Sequence, residues 1–128
     1  MDIQKFTERS RGFLQAAQTI ALRDYNQQLT PEHLLKAMLD DSEGAASALI
    51  KAAGGNPAGA LAAVEQALAK LPKVQGGGAG QPQATPDLVR LLDNAEQTAR
   101  RANDSFVAQD RLLVAIAASD TAAGRALK

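Results

Sequence analysis

A chain of 128 residues that is 45% hydrophobic can form one compact domain, and with only 3% aromatic residues its core must be filled mainly by Leu, Ile, Val, Met and Ala. The 14 Lys and Arg residues balance 14 Asp and Glu residues, so no basic excess favours nucleic acid or an anionic membrane as a partner. The lack of cysteine excludes disulfides and thiolate metal sites, and no apolar run is long enough for a membrane span. Because the first residues are not followed by the apolar segment of a signal peptide, we expect a cytoplasmic protein.

The sequence repeats itself at an offset of 78 residues without a gap. Alanine matches carry little weight in a chain this rich in alanine, but other identities remain, including Thr7/Thr85, Arg23/Arg101, Leu34/Leu112, Leu35/Leu113 and Leu49/Leu127. The same offset pairs similar residues, such as Leu29 with Val107 and Met38 with Ile116, so the hydrophobic pattern repeats as well. The repeat predicts two pseudo-equivalent helical units within one domain.

In the first unit, residues 1–71, hydrophobic residues recur at helical spacing and no run alternates with period two, which predicts an all-α fold. The pattern predicts four helices: residues 7–24, a second that starts at Pro31, residues 45–53, and a fourth that follows Asn56 and ends at Pro72. Thr30 is a good N-cap for the second helix, and Gly54 suits the left-handed conformation that ends the third.

Residues 72–85 are rich in glycine and are expected to form a mobile linker on the surface. The second unit, residues 86–128, opens with a fifth helix capped by Thr85, followed by a sixth helix and by a seventh that starts near Thr121. The residues expected to face inward are Leu88, Leu91, Leu92, Ala95, Ala99 and Ala102 on the fifth helix, and Leu112, Leu113 and Ile116 on the sixth. The offset places a counterpart of the fourth helix beyond Lys128, so we expect a truncated second unit and a longer parent protein.

Residues able to carry out chemistry are sparse in this sequence. The glycines of residues 76–80 lack the preceding strand and the following Gly-Lys-Ser/Thr of a phosphate-binding loop, so no nucleotide site is predicted. His33 is the single histidine and is expected to be partly exposed in the first turn of the second helix. A small acid/base enzyme would need His33 to converge with Glu32 or Asp24 in a pocket, and this remains an open alternative. No catalytic or metal-ligating set is predicted.

Three runs carry a family resemblance that covers essentially the whole chain. Residues 26–35 (NQQLTPEHLL), 71–76 (LPKVQG) and 104–107 (DSFV) resemble the N-terminal domains of ClpB disaggregases, which are AAA+ chaperones. The segment PEHLL is shared with the N-domains of ClpA and ClpC, whereas LPKVQG is similar to ClpB specifically. The resemblance implies an all-α domain of two pseudo-symmetric four-helix repeats, with the eighth helix and the ATPase ring missing from this sequence.

The resemblance also implies a function without catalysis. Such a domain would recognise exposed apolar segments of unfolded or aggregated polypeptides for a hexameric ATPase that disaggregates and refolds them with a DnaK-type chaperone. The domain would need no cofactor, because ATP and Mg²⁺ belong to the absent AAA+ modules, and in isolation it would be a monomer. The alternative is an N-domain of the ClpA or ClpC type, which docks adaptor proteins for a protease partner.

The same resemblance suggests site residues. The family implicates a threonine at the start of the first helix and two acids in the second half as substrate contacts, and these match Thr7, Asp104 and Asp110. The family often has Glu at the last position, so Asp110 is one methylene shorter. Thr7 and Asp110 equally suit a helix-capping role. An apolar groove between helices is the second family feature, and the candidate walls, each of which could equally be core, are Phe13, Leu14, Leu88, Leu92 and Leu112.

Overall fold

The structure is a computed structural model that describes residues 3–41, 44–71, 73 and 82–127. Helices dominate these residues, which confirms the all-α prediction. In chain order the elements are a short 3-10 helix (Ile3–Lys5), α1 (Glu8–Arg23), β1 (Gln28–Leu29), α2 (Pro31–Leu39), α3 (Ala45–Ala52), α4 (Pro57–Ala69), β2 (Gln83–Ala84), α5 (Pro86–Arg101), α6 (Gln109–Ala118) and α7 (Ala122–Ala126).

The helices begin where the sequence signals predict. Thr30 Oγ1 accepts a hydrogen bond from the backbone N–H of His33, and Thr85 Oγ1 accepts one from the N–H of Leu88, so each threonine caps its helix. Gly54 has a φ of 88°, the left-handed conformation predicted for the end of α3. One detail of the prediction was wrong, because Ala102 is exposed rather than inward-facing. Asn56 precedes α4 as predicted, but its side chain forms no cap hydrogen bond.

The backbone repeats as the sequence does. α1 and α5 are both 16 residues long, and each is followed by a residue with positive φ, Tyr25 at 59° and Asn103 at 62°, which are 78 positions apart. Leu29 pairs with Ala84 in the parallel β1–β2 ladder, and Phe6 forms a parallel bridge with Val107. Under the offset of 78, Phe6 corresponds to Ala84 and Leu29 corresponds to Val107. In each unit the segment before the first helix therefore pairs with the segment before the second helix of the other unit, which is a pseudo-twofold relationship.

The last residues of the predicted linker, residues 72–85, belong to the fold, because Gln83 and Ala84 form β2, the N–H of Thr85 donates to the carbonyl of Leu29, and Pro82 is buried. Pro72 and residues 74–81 lie outside the described residues, as does residue 128. The short strands escaped the sequence analysis because two residues cannot display a period of two.

One core holds both units together. α2 packs against α1 and α4 and also contacts α5, α6 and α7. The largest fully buried side chains come from both halves of the chain: Phe6, His33, Leu34, Leu35, Met38, Val64, Leu88, Leu91, Leu92, Val107, Leu112 and Ile116. None of the described helices has the length and apolarity needed to cross a bilayer.

Candidate functional site

Thr7 ties the start of α1 to the segment before α6. Its Oγ1 accepts a 3.1 Å hydrogen bond from the N–H of Ser10 and donates to Ser10 Oγ at 2.9 Å. Ser10 Oγ in turn donates to the carbonyl of Val107 at 2.9 Å, and the Thr7 N–H donates to that carbonyl at 3.0 Å. The hydroxyl of Thr7 therefore caps α1 and supports a network that fixes Val107. Its contact with substrate stays a prediction.

Arg111 joins the two predicted acids. Its Nε donates to Asp104 Oδ2 at 3.2 Å, and its backbone N–H donates to Asp110 Oδ1 at 2.9 Å. Asp110 lies in the first turn of α6, whose N-cap Ala108 offers no side-chain oxygen, so its carboxylate complements the positive end of the helix dipole. Because Val107 lies between Asp104 and Asp110 in the chain and bonds to Thr7, the fold brings all three predicted residues to one end of the domain.

Four of the five candidate groove walls are core residues. Leu112 is fully buried, Leu88 and Leu92 are 1% exposed and Leu14 is 8% exposed. Leu88 and Leu92 are four residues apart on α5 and lie on its buried stripe, so they cannot contact a ligand unless the helices separate. The reading of these four as walls of an open groove is therefore corrected, and they are assigned to the core.

Phe13 is the candidate wall that borders open space. Its half-buried side chain lines a cavity of about 460 Å³ between α1 and α2. The other residues lining this α1/α2 cavity are Glu8, Arg9, Gly12, Ala16, Ala37 and Asp41.

A second cavity lies between α5 and α6, next to the predicted acids. It has a volume of about 250 Å³ and is lined by Asn94, Thr98, Arg101, Arg111, Val114, Ala115, Ala118 and Ser119. Val114 is 59% exposed, the highest value among the large hydrophobic side chains of the described residues. This α5/α6 cavity shares Arg111 with the acidic pair. Val114 is not among the predicted site residues, although its spacing of four residues from Asp110 places both on the same face of α6.

A third cavity lies on the other side of Asp104, against the end of α5. Its volume is about 210 Å³, and its lining residues are Lys5, Glu96, Ala99, Arg100, Asp104, Ser105, Phe106 and Val107. Phe106 is 55% exposed. The pair of Asp104 and Arg111 thus stands between two cavities, one with an exposed valine and one with an exposed phenylalanine.

His33 is buried, contrary to the expectation of partial exposure. Its Nδ1 accepts a 3.0 Å hydrogen bond from the N–H of Thr30, so the ring proton resides on Nε2, which faces Asn26 Oδ1 at 3.0 Å. Burial lowers the pKa of His33 from 6.5 to about 4, against a smaller opposite effect of Asp24. The imidazole is a neutral, hydrogen-bonded part of the core.

Glu32 forms a contact with α7 instead of with His33. Its Oε2 accepts a 3.0 Å hydrogen bond from the N–H of Ala123 in α7, and burial raises its pKa. Glu32 and His33 therefore have separate partners instead of converging on one pocket, which argues against the acid/base enzyme. Within the described part of the chain, no group of three or more His, Cys, Asp or Glu residues could hold a metal ion.

Comparison with known proteins gives the family that the three sequence runs resemble. Residues 5–128 match the model of the Clp repeat (R) N-terminal domain. The chain is 51% identical over 128 residues to the chaperone protein ClpB of Rhodopseudomonas palustris, covering 99% of this chain and 15% of that protein. It is 51% identical over 123 residues to ClpB of Rhizobium meliloti, covering 96% of this chain and 14% of that protein.

Solved structures share the fold at lower identity. The N-terminal domain of Hsp104 from Candida albicans matches with a TM-score of 0.81 at 24% identity, over 97% of this chain and 87% of that chain. A complex of a ClpV N-domain with a VipB peptide matches with a TM-score of 0.70 at 24% identity, over 90% of this chain and 69% of that chain. The family matched is the N-terminal domain and not the catalytic ATPase domain. The chain therefore belongs to the Clp N-terminal repeat-domain family.

Proposed function

We propose that this domain binds exposed apolar segments of unfolded or aggregated polypeptides and presents them to a ClpB-like ATPase for disaggregation. The observation that carries the proposal is the α5/α6 cavity, in which the exposed Val114 lies beside the ion pair of Arg111 and Asp104. An exposed valine in a concave site offers apolar area that a folded protein would otherwise bury.

Binding at this cavity is expected to be weak and tolerant of sequence. The apolar lining consists of Val114, Ala115 and Ala118, and covering this small surface contributes about 1 kcal/mol before ordering costs. Asp104 contacts Arg111 of this cavity, and in this proposal Thr7, Asp104 and Asp110 orient the bound chain through hydrogen bonds to its backbone. An exposed contact of that kind adds about 0 to 1 kcal/mol.

The wider setting belongs to the same proposal. The parent would be a cytoplasmic, hexameric ATPase that works with a DnaK-type chaperone and binds ATP and Mg²⁺ in modules outside this chain. The domain itself would be monomeric and would bind neither cofactor nor nucleic acid. This setting is supported by the ClpB relatives, of which the chain covers only 15% and 14%.

Chemical-shift titration of the ¹⁵N-labelled domain with reduced, carboxymethylated α-lactalbumin tests the proposal. We expect shifts at the amides of residues 94–118 and no shifts with native α-lactalbumin. Val114→Asp should weaken binding, and Val89→Asp is the matched control, because Val89 is also exposed on the second unit and lines none of the cavities described above. Circular dichroism checks that both variants fold.

Three outcomes would overturn the proposal. Shifts confined to α3 and α4, or equal weakening by the two valine variants, would place binding elsewhere. Binding that requires an added adaptor protein would favour the adaptor-docking alternative of the ClpA and ClpC type.

A further inference from the structure

The charged residues that line the α5/α6 cavity are all cationic. Two of its eight lining residues are arginines, Arg101 and Arg111, and none is a carboxylate. The α1/α2 cavity lies between the corresponding helices of the first unit, and its charged lining residues are Glu8, Asp41 and Arg9. The charges of the two cavities thus do not follow the pseudo-symmetry of the backbone, because one lining is cationic and the other carries more acidic than basic residues.

Both arginines retain donors that a ligand can use. Arg101 Nη2 donates one long hydrogen bond of 3.4 Å to Gln97 Oε1, and no carboxylate of the described residues forms an ion pair with Arg101. Arg111 contacts Asp104 through Nε. In the part of the chain that the structure describes, its two terminal nitrogens donate no hydrogen bond. A guanidinium whose terminal nitrogens are available is suited to paired hydrogen bonds with a carboxylate.

The apolar part of the cavity lies next to these donors. Arg111 and Val114 are three residues apart on α6 and therefore neighbours on its surface, and Ala115 and Ala118 continue the same lining. A ligand that fills the cavity meets an aliphatic surface and two cationic groups together.

We infer that the α5/α6 cavity selects polypeptide segments that carry a carboxylate beside an aliphatic side chain. The carboxylate accepts hydrogen bonds from Arg101 and Arg111, and the aliphatic group packs on Val114. Asp104 is a positioning residue, because its contact with Nε orients the Arg111 guanidinium and leaves the terminal nitrogens for the ligand. This inference rests on the proposed function and specifies its substrate chemistry.

The selectivity is local, since the whole chain carries a formal net charge of +0. Long-range steering of acidic polypeptides is therefore absent, and the preference arises only on contact. Added salt should reduce the preference without abolishing binding, because the apolar contact does not depend on ionic strength.

Titration with matched peptides tests the inference. The probes are the acetylated and amidated heptapeptide Gly-Ser-Leu-Asp-Leu-Ser-Gly, its analogue with Asn in place of Asp, and the Asn analogue with a free C-terminal carboxylate. We expect the Asp peptide to bind the full chain about three- to tenfold more tightly than the capped Asn peptide at low salt. The third peptide carries its carboxylate on the terminal glycine, away from the leucines, so a gain for the Asp peptide alone supports the inference. An equal gain for the third peptide would overturn the requirement for an adjacent aliphatic side chain.

The adjacent arginines of α5 provide the control. Arg101→Gln should reduce the preference for Asp to less than about twofold. Arg100→Gln should retain the preference, because Arg100 lines the cavity on the other side of Asp104 and lies 3.6 Å from Glu96. Equal affinities of all three peptides, with shifts still centred on Val114, would refute carboxylate selection while the proposed function stands. Binding of none of the peptides, together with no response to unfolded α-lactalbumin, would refute both.

Discussion

Arg111 and Asp104 form an ion pair at the positions that a buried hydrogen-bonded pair occupies in the first unit. Arg111 Nε and Asp104 Oδ2 are 3.2 Å apart, and the offset of 78 residues places them on His33 and Asn26, whose Nε2 and Oδ1 are 3.0 Å apart. The same backbone therefore holds a neutral pair inside one unit and a charged pair at the surface of the other. This difference is consistent with the proposed binding site in the second unit.

The two pairs should contribute unequally to stability. Asn26→Leu removes the acceptor of the buried His33 Nε2–H, and an unsatisfied buried donor costs about 1 to 3 kcal/mol. Asp104→Leu removes an exposed ion pair, which is worth about 0 to 1 kcal/mol. Urea denaturation followed by circular dichroism measures both free energies of unfolding. Equal losses would show that the two pairs are energetically equivalent.

Burial of His33 makes stability depend on pH. The pKa is about 4 in the folded domain and 6.5 for the ordinary side chain, so between these values the unfolded chain binds a proton that the folded chain excludes. The free energy of unfolding therefore has its full value with respect to His33 above pH 6.5. It decreases as the pH falls towards 4, by up to about 3 kcal/mol. Glu32, whose pKa burial raises, acts in the opposite direction at the acidic end of this window.

A comparison with His33→Gln isolates the histidine. The amide forms hydrogen bonds but does not titrate, so the free energy of unfolding of this variant should fall less between pH 6.5 and 4. Urea denaturation at several pH values measures the difference between the two proteins. Parallel pH profiles would mean that His33 titrates normally in the folded state.

Gly124 is required where α7 meets the end of α6. A Cβ at this position would collide with the carbonyl oxygens of Ser119 and Ile116, both of which belong to backbone that cannot move aside. Gly124→Ala should destabilise the domain by about 1 to 3 kcal/mol. Gly12→Ala is the control, because apart from the nearby backbone of α1 itself no atom lies within 4 Å of the point that a Cβ would occupy there, and it should stabilise α1 by about 0.5 to 1 kcal/mol. Thermal unfolding of the two variants should shift in opposite directions.

The sequence predicted the helices better than the site, and particular residues show why. Thr30 and Thr85 signal helix starts locally, so their caps could be read without knowledge of the tertiary fold. The apolar stripe of α5 predicts that Leu88 and Leu92 contact another apolar surface. The same helical spacing of apolar residues is expected whether that surface is the core or a ligand in a groove. Val114 was missed because it lies outside the buried stripe of α6, where periodicity carries no information about ligands.

Thr7 and Thr85 allow capping to be separated from substrate contact. Both cap a 16-residue helix, and their N–H groups donate to equivalent carbonyls, Val107 for Thr7 and Leu29 for Thr85. Thr7→Ala and Thr85→Ala should each cost about 1 kcal/mol. Thr7→Ala should in addition shift the amides of residues 104–110, because it removes the hydroxyl that supports Ser10 and through it Val107.

The binding measurement then decides the role of Thr7. If Thr7 acts as a cap, its effect on affinity for unfolded α-lactalbumin should follow the displacement of residues 104–110, and Thr7→Ser, which keeps the hydroxyl, should bind normally. Thr85→Ala should leave affinity unchanged, since its disturbance falls on β1 at the other unit. Loss of binding in Thr7→Ala with unchanged stability and unshifted 104–110 amides would instead identify Thr7 as a direct contact.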